Sequence, residues 1–365
     1  MLSNVQGLLR GLPLALARGV AASTVPALRA FSSRTSKALV IDEFGPPADV
    51  LHLEHQTLRE PGEGEAPINP SDMNTIEGKY PLRPDLPGVP GHEGMGVVEA
   101  VGPRVDRLKV GDMVIPVQQS QGTWRSHGIF PERFWHRIPK DLPVATAATM
   151  VVNPPTALRL LEEFVTLEAG DTVIQNGANS AVGKVIIQVA RSRGINTINV
   201  IRDRPDRVEV EGELKELGAT LVTTPAELKR DLAGSGLTAP RLALDCVAGE
   251  AALAIAKTLE EGGTMVTYGG MSMQPIPVPA PILIFKDIRL RGFWLTGGFA
   301  KMKDGWKQKE NLVDRVVALY RQKAIKPPLV ECVPLERWQE AMDLYHRDQR
   351  NYKVLLTNYP DDVCL

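Results

Sequence analysis

The stretch Val89–Gly102, VPGHEGMGVVEAVG, sets a histidine beside a carboxylate at the head of an apolar run. His92 and Glu93 are both zinc-ligand types. A catalytic zinc, however, takes three protein ligands and an open position, in dehydrogenases with at least one thiolate. The nearest cysteine is Cys246, far along the chain, and the upstream segment PINPSDMN offers Asn69 and Pro70 instead. Gly91, Gly94 and Gly96 account for the motif as a tight lead into a strand. No metal is expected, and His92 is expected as a hydrogen-bonded structural residue.

Without a Lewis acid, a plain carbonyl is hard to reduce. A double bond conjugated to a carbonyl is easier: it takes hydride at the β carbon and then needs only a stabilised enolate and a proton. Tyr80, in EGKYPLRP, sits in a Gly- and Pro-bounded loop with reach into a cleft. Its hydroxyl is neutral at pH 7 and a hydrogen-bond donor, which makes it the candidate proton source.

The partner chemistry lies further on. In VIQNGANSAVG an apolar strand runs through Gly177, Asn179, Ser180, Ala181 and Val182 to Gly183 and a helix. Such a turn presents backbone N–H groups and a helix N-terminus to a pyrophosphate, although Asn179 stands where the dinucleotide fingerprint has its second glycine. The next strand ends in VIRDRPDR. Arg202 and Arg204 flank Asp203 where an acidic residue would bind a ribose hydroxyl, so a 2′-phosphate, and hence NADP, is expected. TYGGM (Tyr268, Gly269, Gly270, Met271) ends another strand with paired glycines that allow close backbone approach to a nicotinamide.

Two kinds of element must position these residues. From KALVIDEFG to about Lys140 the chain is rich in Gly and Pro with short apolar runs, the mark of an irregular β domain. From Asp171 onward, strands alternate with helical runs, the pattern of a parallel sheet covered on both faces. The expected fold is α/β: residues 37–153 an irregular β catalytic domain, 154–290 an inserted Rossmann dinucleotide domain, and 291–365 a return that completes the first. Residues 1–36 carry Arg10, Arg18, Arg29, Arg34 and five serines but no acid, and read as a transit peptide outside the fold. A net charge of −1 gives no reason to expect nucleic-acid binding, and no apolar run is long enough to span a membrane. Three scattered cysteines form no disulfide framework and fit a reducing compartment.

Taken together, APINPSDMNTIEGKYP, GTWRSHGIF, VNPPTALRLL, VIQNGANSAVG, NVIRDRPD, GGTMVTYGGM and LIFKDIRLRGFWL resemble the mitochondrial 2-enoyl thioester reductases, a zinc-free branch of the medium-chain dehydrogenase/reductase superfamily. The likeness runs from about Lys37 to Lys353. It implies a GroES-like catalytic domain, NADPH as cofactor, a homodimer in the mitochondrial matrix, and reduction of trans-2-enoyl thioesters carried on acyl carrier protein or coenzyme A. By the resemblance Tyr80 protonates the α carbon. Asn153, Asn179, Ser180, Ala181, Val182, Arg202, Asp203, Arg204, Tyr268, Gly269, Gly270, Met271, Phe293, Trp294, Leu295, Thr296 and Lys353 match cofactor-contacting positions. Lys353 would offer a point charge to a phosphate or a carrier thioester, and Trp294 would pack along the acyl channel. In one place the chain departs from the family. An apolar strand belongs between PGEGE and APINPSD, yet Glu65 is followed directly by Ala66, so that strand is expected to be missing. Two alternatives follow: a quinone or enone reductase of the same fold, or a nucleotide-binding variant impaired by the lost strand.

Overall fold

The computed structural model describes residues 34–58, 62–67, 69–118, 120–347 and 351–358. The leader expected over residues 1–36 lies outside them except for Arg34–Ser36, which already belong to the first strand. Strands β1 (Arg34–Ile41) and β2 (Leu51–Leu58) pair antiparallel. Leu39 and Ile41 of β1 are fully buried and pack with Trp124 and Trp338 in one core of the catalytic domain.

A six-stranded mixed sheet follows, built from β3 (Gly62–Pro67), β4 (Met95–Val98), β5 (Met113–Pro116) and β6 (Trp135–Ile138). The chain then forms a second sheet of six parallel strands: β7 (Thr172–Asn176), β8 (Asn196–Val200), β9 (Leu221–Thr223), β10 (Leu242–Asp245), β11 (Thr264–Thr267) and β12 (Arg289–Gly292). Finally β13 (Val330–Pro334) and β14 (Lys353–Thr357) return to the first sheet, whose order is β13-β14-β3-β4-β5-β6.

The parallel sheet runs β12-β11-β10-β7-β8-β9. Its faces follow from strict alternation. Val173, Leu242, Leu244 and Val266 pack with Val182, Val185, Ile186 and Val189 of the helix Ala181–Ser192, while Ile174, Ala243 and Met265 pack with Ala252, Ile255 and Ala256 on the other side. Helices on both faces are why these strands read as near-continuous apolar runs. The order of connection reverses between β7 and β10, which opens a crevice beyond their carboxyl ends, where such sheets bind ligands. The fold is thus the expected one: a Rossmann sheet set within an irregular, GroES-like β domain.

The missing strand is a correction. Gly62–Pro67 is itself extended and fills the slot, pairing with β4 (Gly62 with Val98, Gly64 with Gly96) and with β14 (Ala66 with Leu356, Pro67 with Leu355). A slot between two strands leaves N–H and C=O groups on both neighbours that need partners, and any extended backbone supplies them. The turn residues are therefore drawn into the sheet. No large apolar residue occurs among the six. A second correction concerns sulfur: Cys246 is buried and free, but Cys332 in β13 is disulfide-bonded.

Candidate functional site

Glu93 is the centre of the catalytic domain. Its side chain is completely buried and all its acceptor sites face donors. Oε1 accepts from the backbone N–H groups of Val151 and Val152, each at 2.9 Å. Oε2 accepts from Asn69 Nδ2 at 3.0 Å and from Lys353 Nζ at 3.0 Å, and Lys353 also donates to Asn69 Oδ1 at 2.8 Å. Four separate stretches of chain meet at this carboxylate. Lys353, matched by resemblance to a cofactor position, is instead committed here: its side chain is only 7% exposed and points at Glu93.

His92 is equally enclosed. Nε2 lies 2.8 Å from Thr75 Oγ1, which gives its own proton to Ser71 O, and Nδ1 lies 3.1 Å from Ser120 Oγ. Its backbone N–H donates to Asp72 Oδ1, and Asp72 Oδ2 takes the N–H of Asn69 at 2.7 Å. Burial pushes the Asp72 carboxyl up, against the lowering influence of His92. With both ring nitrogens and both Glu93 oxygens engaged, these side chains brace the fold. Among the described residues no group of three or more His, Cys, Asp or Glu is placed to hold a metal ion.

Tyr80 lies above this layer. The helix Pro70–Ile76 ends in a turn where Tyr80 N–H and Lys79 N–H both donate to Asn74 O, and Gly78 adopts φ +69° against Phe44. The ring stands 5.4 Å from His92 and edge-on to Trp294 at 6.0 Å. The Trp294 indole N–H donates to Tyr80 Oη at 2.8 Å. Burial first, and the Asp72 charge in addition, push the tyrosine pKa above its ordinary value, while the indole bond opposes them. The hydroxyl therefore stays protonated, with its own proton free to point elsewhere. Trp294 is held by Gly297, where a Cβ would meet the indole at 2.0 Å. Its neighbours Leu295 and Thr296 are buried, and Phe293 packs beside Arg159 and Phe164.

The second half of the site is the carboxyl edge of the parallel sheet. Gly177 turns the chain at φ +57°, Ser180 Oγ caps the helix by accepting from Gly183 N, and a Cβ on Gly183 would meet Ala178 O at 2.4 Å. The amides of Ala181 and Val182 open the helix, where no intrahelical acceptor exists. The turn thus has the donors and clearance a pyrophosphate needs despite Asn179, which is half-buried beside it. Asn153, half-buried, begins the helix Asn153–Glu162. Past β8, Arg202 and Asp203 are exposed and Arg202 has no ion pair among the described residues. Arg204 is clamped in a two-pronged pair with Asp206. Gly270 and Met271 are exposed at the end of β11, with Gly269 tight against Cys246. The Tyr268 hydroxyl is buried beside the Cys246 thiol with no hydrogen bond of good geometry among the described residues, and burial first, then the thiol, pushes its pKa well up.

Two features escaped the sequence reading. Asp245 Oδ1 accepts from Asn176 Nδ2 at 2.6 Å and from the amides of Val247 and Ala248, and its Oδ2 accepts from Thr267 Oγ1. This ties the ends of β7, β10 and β11 at the crevice, and nothing in the local sequence announces it. Asn69 and Asp72 did carry a signal, the spacing of a helix-opening capping pair.

This arrangement defines the class: a two-domain, nucleotide-dependent oxidoreductase of the alcohol-dehydrogenase type. The alcohol dehydrogenase GroES-like domain family matches residues 64–140 and the zinc-binding dehydrogenase family matches residues 181–314. The chain is 46% identical over 322 residues to the mitochondrial enoyl-[acyl-carrier-protein] reductase of Arabidopsis thaliana, covering 85% of each, and 43% identical to that of Xenopus tropicalis, covering 86% of this chain and 93% of the relative. The solved mitochondrial 2-enoyl thioester reductase Etr1p/Etr2p heterodimer from Candida tropicalis superposes with a TM-score of 0.81 at 32% identity, over 89% of this chain and 100% of that one. An Etr1p complex with NADP and crotonyl-CoA gives 0.82 at 32%, with the same coverage. The chain belongs to the family of mitochondrial enoyl-[acyl-carrier-protein] reductases.

Two lysines near Glu93 have opposite expected outcomes. Lys353→Met leaves a buried carboxylate short of its cation and should cost about 3–5 kcal/mol by chemical denaturation at pH 7. Lys309 is also buried (1% exposed), and burial pushes its pKa down to about 8 despite the Glu93 charge. The unfolded chain then binds more protons between about pH 8 and the ordinary 10.5, so stability rises with pH across that window. Lys309→Met should be at least as stable as the parent at pH 7 and should flatten that rise, as followed by thermal melts from pH 7 to 10.

Proposed function

We propose that this chain is a mitochondrial NADPH-dependent reductase that converts trans-2-enoyl thioesters, carried on acyl carrier protein or coenzyme A, to saturated acyl thioesters in mitochondrial fatty-acid synthesis. The observation that carries the reading is the Trp294-to-Tyr80 hydrogen bond. It fixes the phenol oxygen as acceptor of one bond and leaves its O–H to be given away.

NADPH, when bound, supplies the hydride for the β carbon. The chain's own residues do the rest. Ala181 and Val182 amides at the capped helix start would hold the pyrophosphate, and Arg202 at the end of β8, without an ion pair among the described residues, would take the 2′-phosphate. Arg204 would contribute only on leaving Asp206. Tyr80 holds a proton at Oη and delivers it to the α carbon. Glu93, His92 and Asp72 keep its loop rigid from below, and Trp294 walls the acyl side. Lys353 supports the reading as a brace through Glu93.

The leader reads as an import signal. Ser36 is fully buried and its hydroxyl donates to His127 O, so cleavage ahead of Arg34 keeps β1 whole. All four residues of β12 are exposed, Leu290 among them, and Leu283, Ile284 and Phe285 just before it in the chain expose further apolar surface. An open, apolar sheet edge of this kind supports pairing with a second copy along β12.

Three measurements test the proposal. Tyr80→Phe should lower kcat with a medium-chain trans-2-enoyl-CoA by about 10²–10⁴-fold, followed as NADPH oxidation at 340 nm, and the parent should show no alkaline loss assignable to Tyr80 below about pH 10. Unimpaired turnover in Tyr80→Phe would remove the tyrosine from the mechanism. Arg202→Ala should raise KM for NADPH about tenfold or more while leaving that for NADH nearly unchanged. Leu290→Arg should shift sedimentation from dimer to monomer.

A further inference from the structure

Outside the site just described, one cavity of about 280 Å³ stands out in the catalytic domain. It is bordered by β4 and by Val114 of β5, with the side chains of Val98 and Val114 on one face of the sheet, opposite Met113 and Ile115 of the main core. Cross-strand partners share a face, and on β3 the partners of Val98 and Gly96 are Gly62 and Gly64, which bring no side chains. The cavity opens to solvent past Val101 and Ile129, 41% and 58% exposed. None of the residues that hold or touch Tyr80 Oη lines it.

The polar groups on its wall are mostly spoken for. Thr123 donates to Glu93 O, Ser126 and His127 bond each other, and Glu132 accepts the amides of Arg107 and Leu108. Two donors are not. Trp135 Nε1–H is buried and has no hydrogen-bond partner among the described residues. Arg125 gives Nε–H to Gly122 O and lies over the Phe130 ring at 5.7 Å, but no carboxylate pairs with its guanidinium among the described residues. Burial alone pushes that guanidinium's pKa down. An apolar cavity near the lower end of ligand-site sizes, with the Arg125 guanidinium on its wall, matches a molecule with an aliphatic tail and an anionic head.

We propose that this cavity is a second ligand site, separate from the catalytic crevice, that takes a medium-chain aliphatic carboxylate with its tail against Val98 and Val114 and its head on Arg125. The inference does not rest on the proposed reductase activity. The test is calorimetric titration of the full chain, saturated with NADP, with octanoate and with octanol. Octanoate is expected to bind at one site at least about tenfold more tightly than octanol, and Arg125→Gln should erase that difference. Val114→Phe should abolish binding by filling the cavity. Ile129→Glu, at the exposed mouth where folding is not at stake, should weaken octanoate more than octanol. No binding of octanoate, equal affinity for the two ligands, affinity unchanged by Ile129→Glu and Arg125→Gln, or displacement of octanoate by crotonyl-CoA would each overturn the assignment.

Discussion

The buried Glu93 carboxylate is the constraint on which the catalytic half of the molecule depends. A charge removed from water must be met by donors on every side, or its desolvation goes uncompensated. Here the donors come from Asn69 at the head of the helix Pro70–Ile76 that leads into the Tyr80 turn, Val151 and Val152 just before the helix Asn153–Glu162, and Lys353 at the first residue of β14. These groups are far apart in the chain and reach the carboxylate together only in the finished fold. Glu93 thereby fixes where the helix Pro70–Ile76 begins. His92 and Asp72 fix how it lies, and Tyr80 inherits its position from both.

Asp245 plays the same part at the nucleotide edge. It binds the ends of β7, β10 and β11 through Asn176, two amides and Thr267, at the point where strand order reverses. Both halves of the site thus rest on an acidic side chain saturated with hydrogen bonds. Such networks hold geometry well when every member is satisfied. Trp294 joins the halves: it leaves the end of β12 and reaches Tyr80 across the crevice.

Strand β3 shows how backbone and side chains make separate contributions. The hydrogen-bond ladder between β4 and β14 needs only an extended segment, and Gly62–Pro67 provides it. The core needs volume, which Gly62 and Gly64 do not bring, and a cavity lies beside their β4 partner Val98 and its neighbour Val114. A sheet can be continuous while the face it covers stays underfilled.

The sequence by itself determined what depends on local pattern. Alternating strands and helices announced the parallel sheet, Gly177 and Gly183 marked the turn, and Arg202 marked the strand end. The missing thiolate near His92 argued against a zinc site, and the loop around Tyr80 offered a phenol with reach into a cleft. Only the tertiary structure decided what depends on residues distant in the chain. Lys353 was placed on Glu93, Arg204 was taken by Asp206 while Arg202 has no ion pair among the described residues, and Gly62–Pro67 became a strand because its neighbours left a slot. The physical reason is the same in each case. A charge or a hydrogen-bonding group is assigned by whichever partner lies within about 3 Å in the folded chain, and sequence spacing does not encode that distance for residues brought together from different strands.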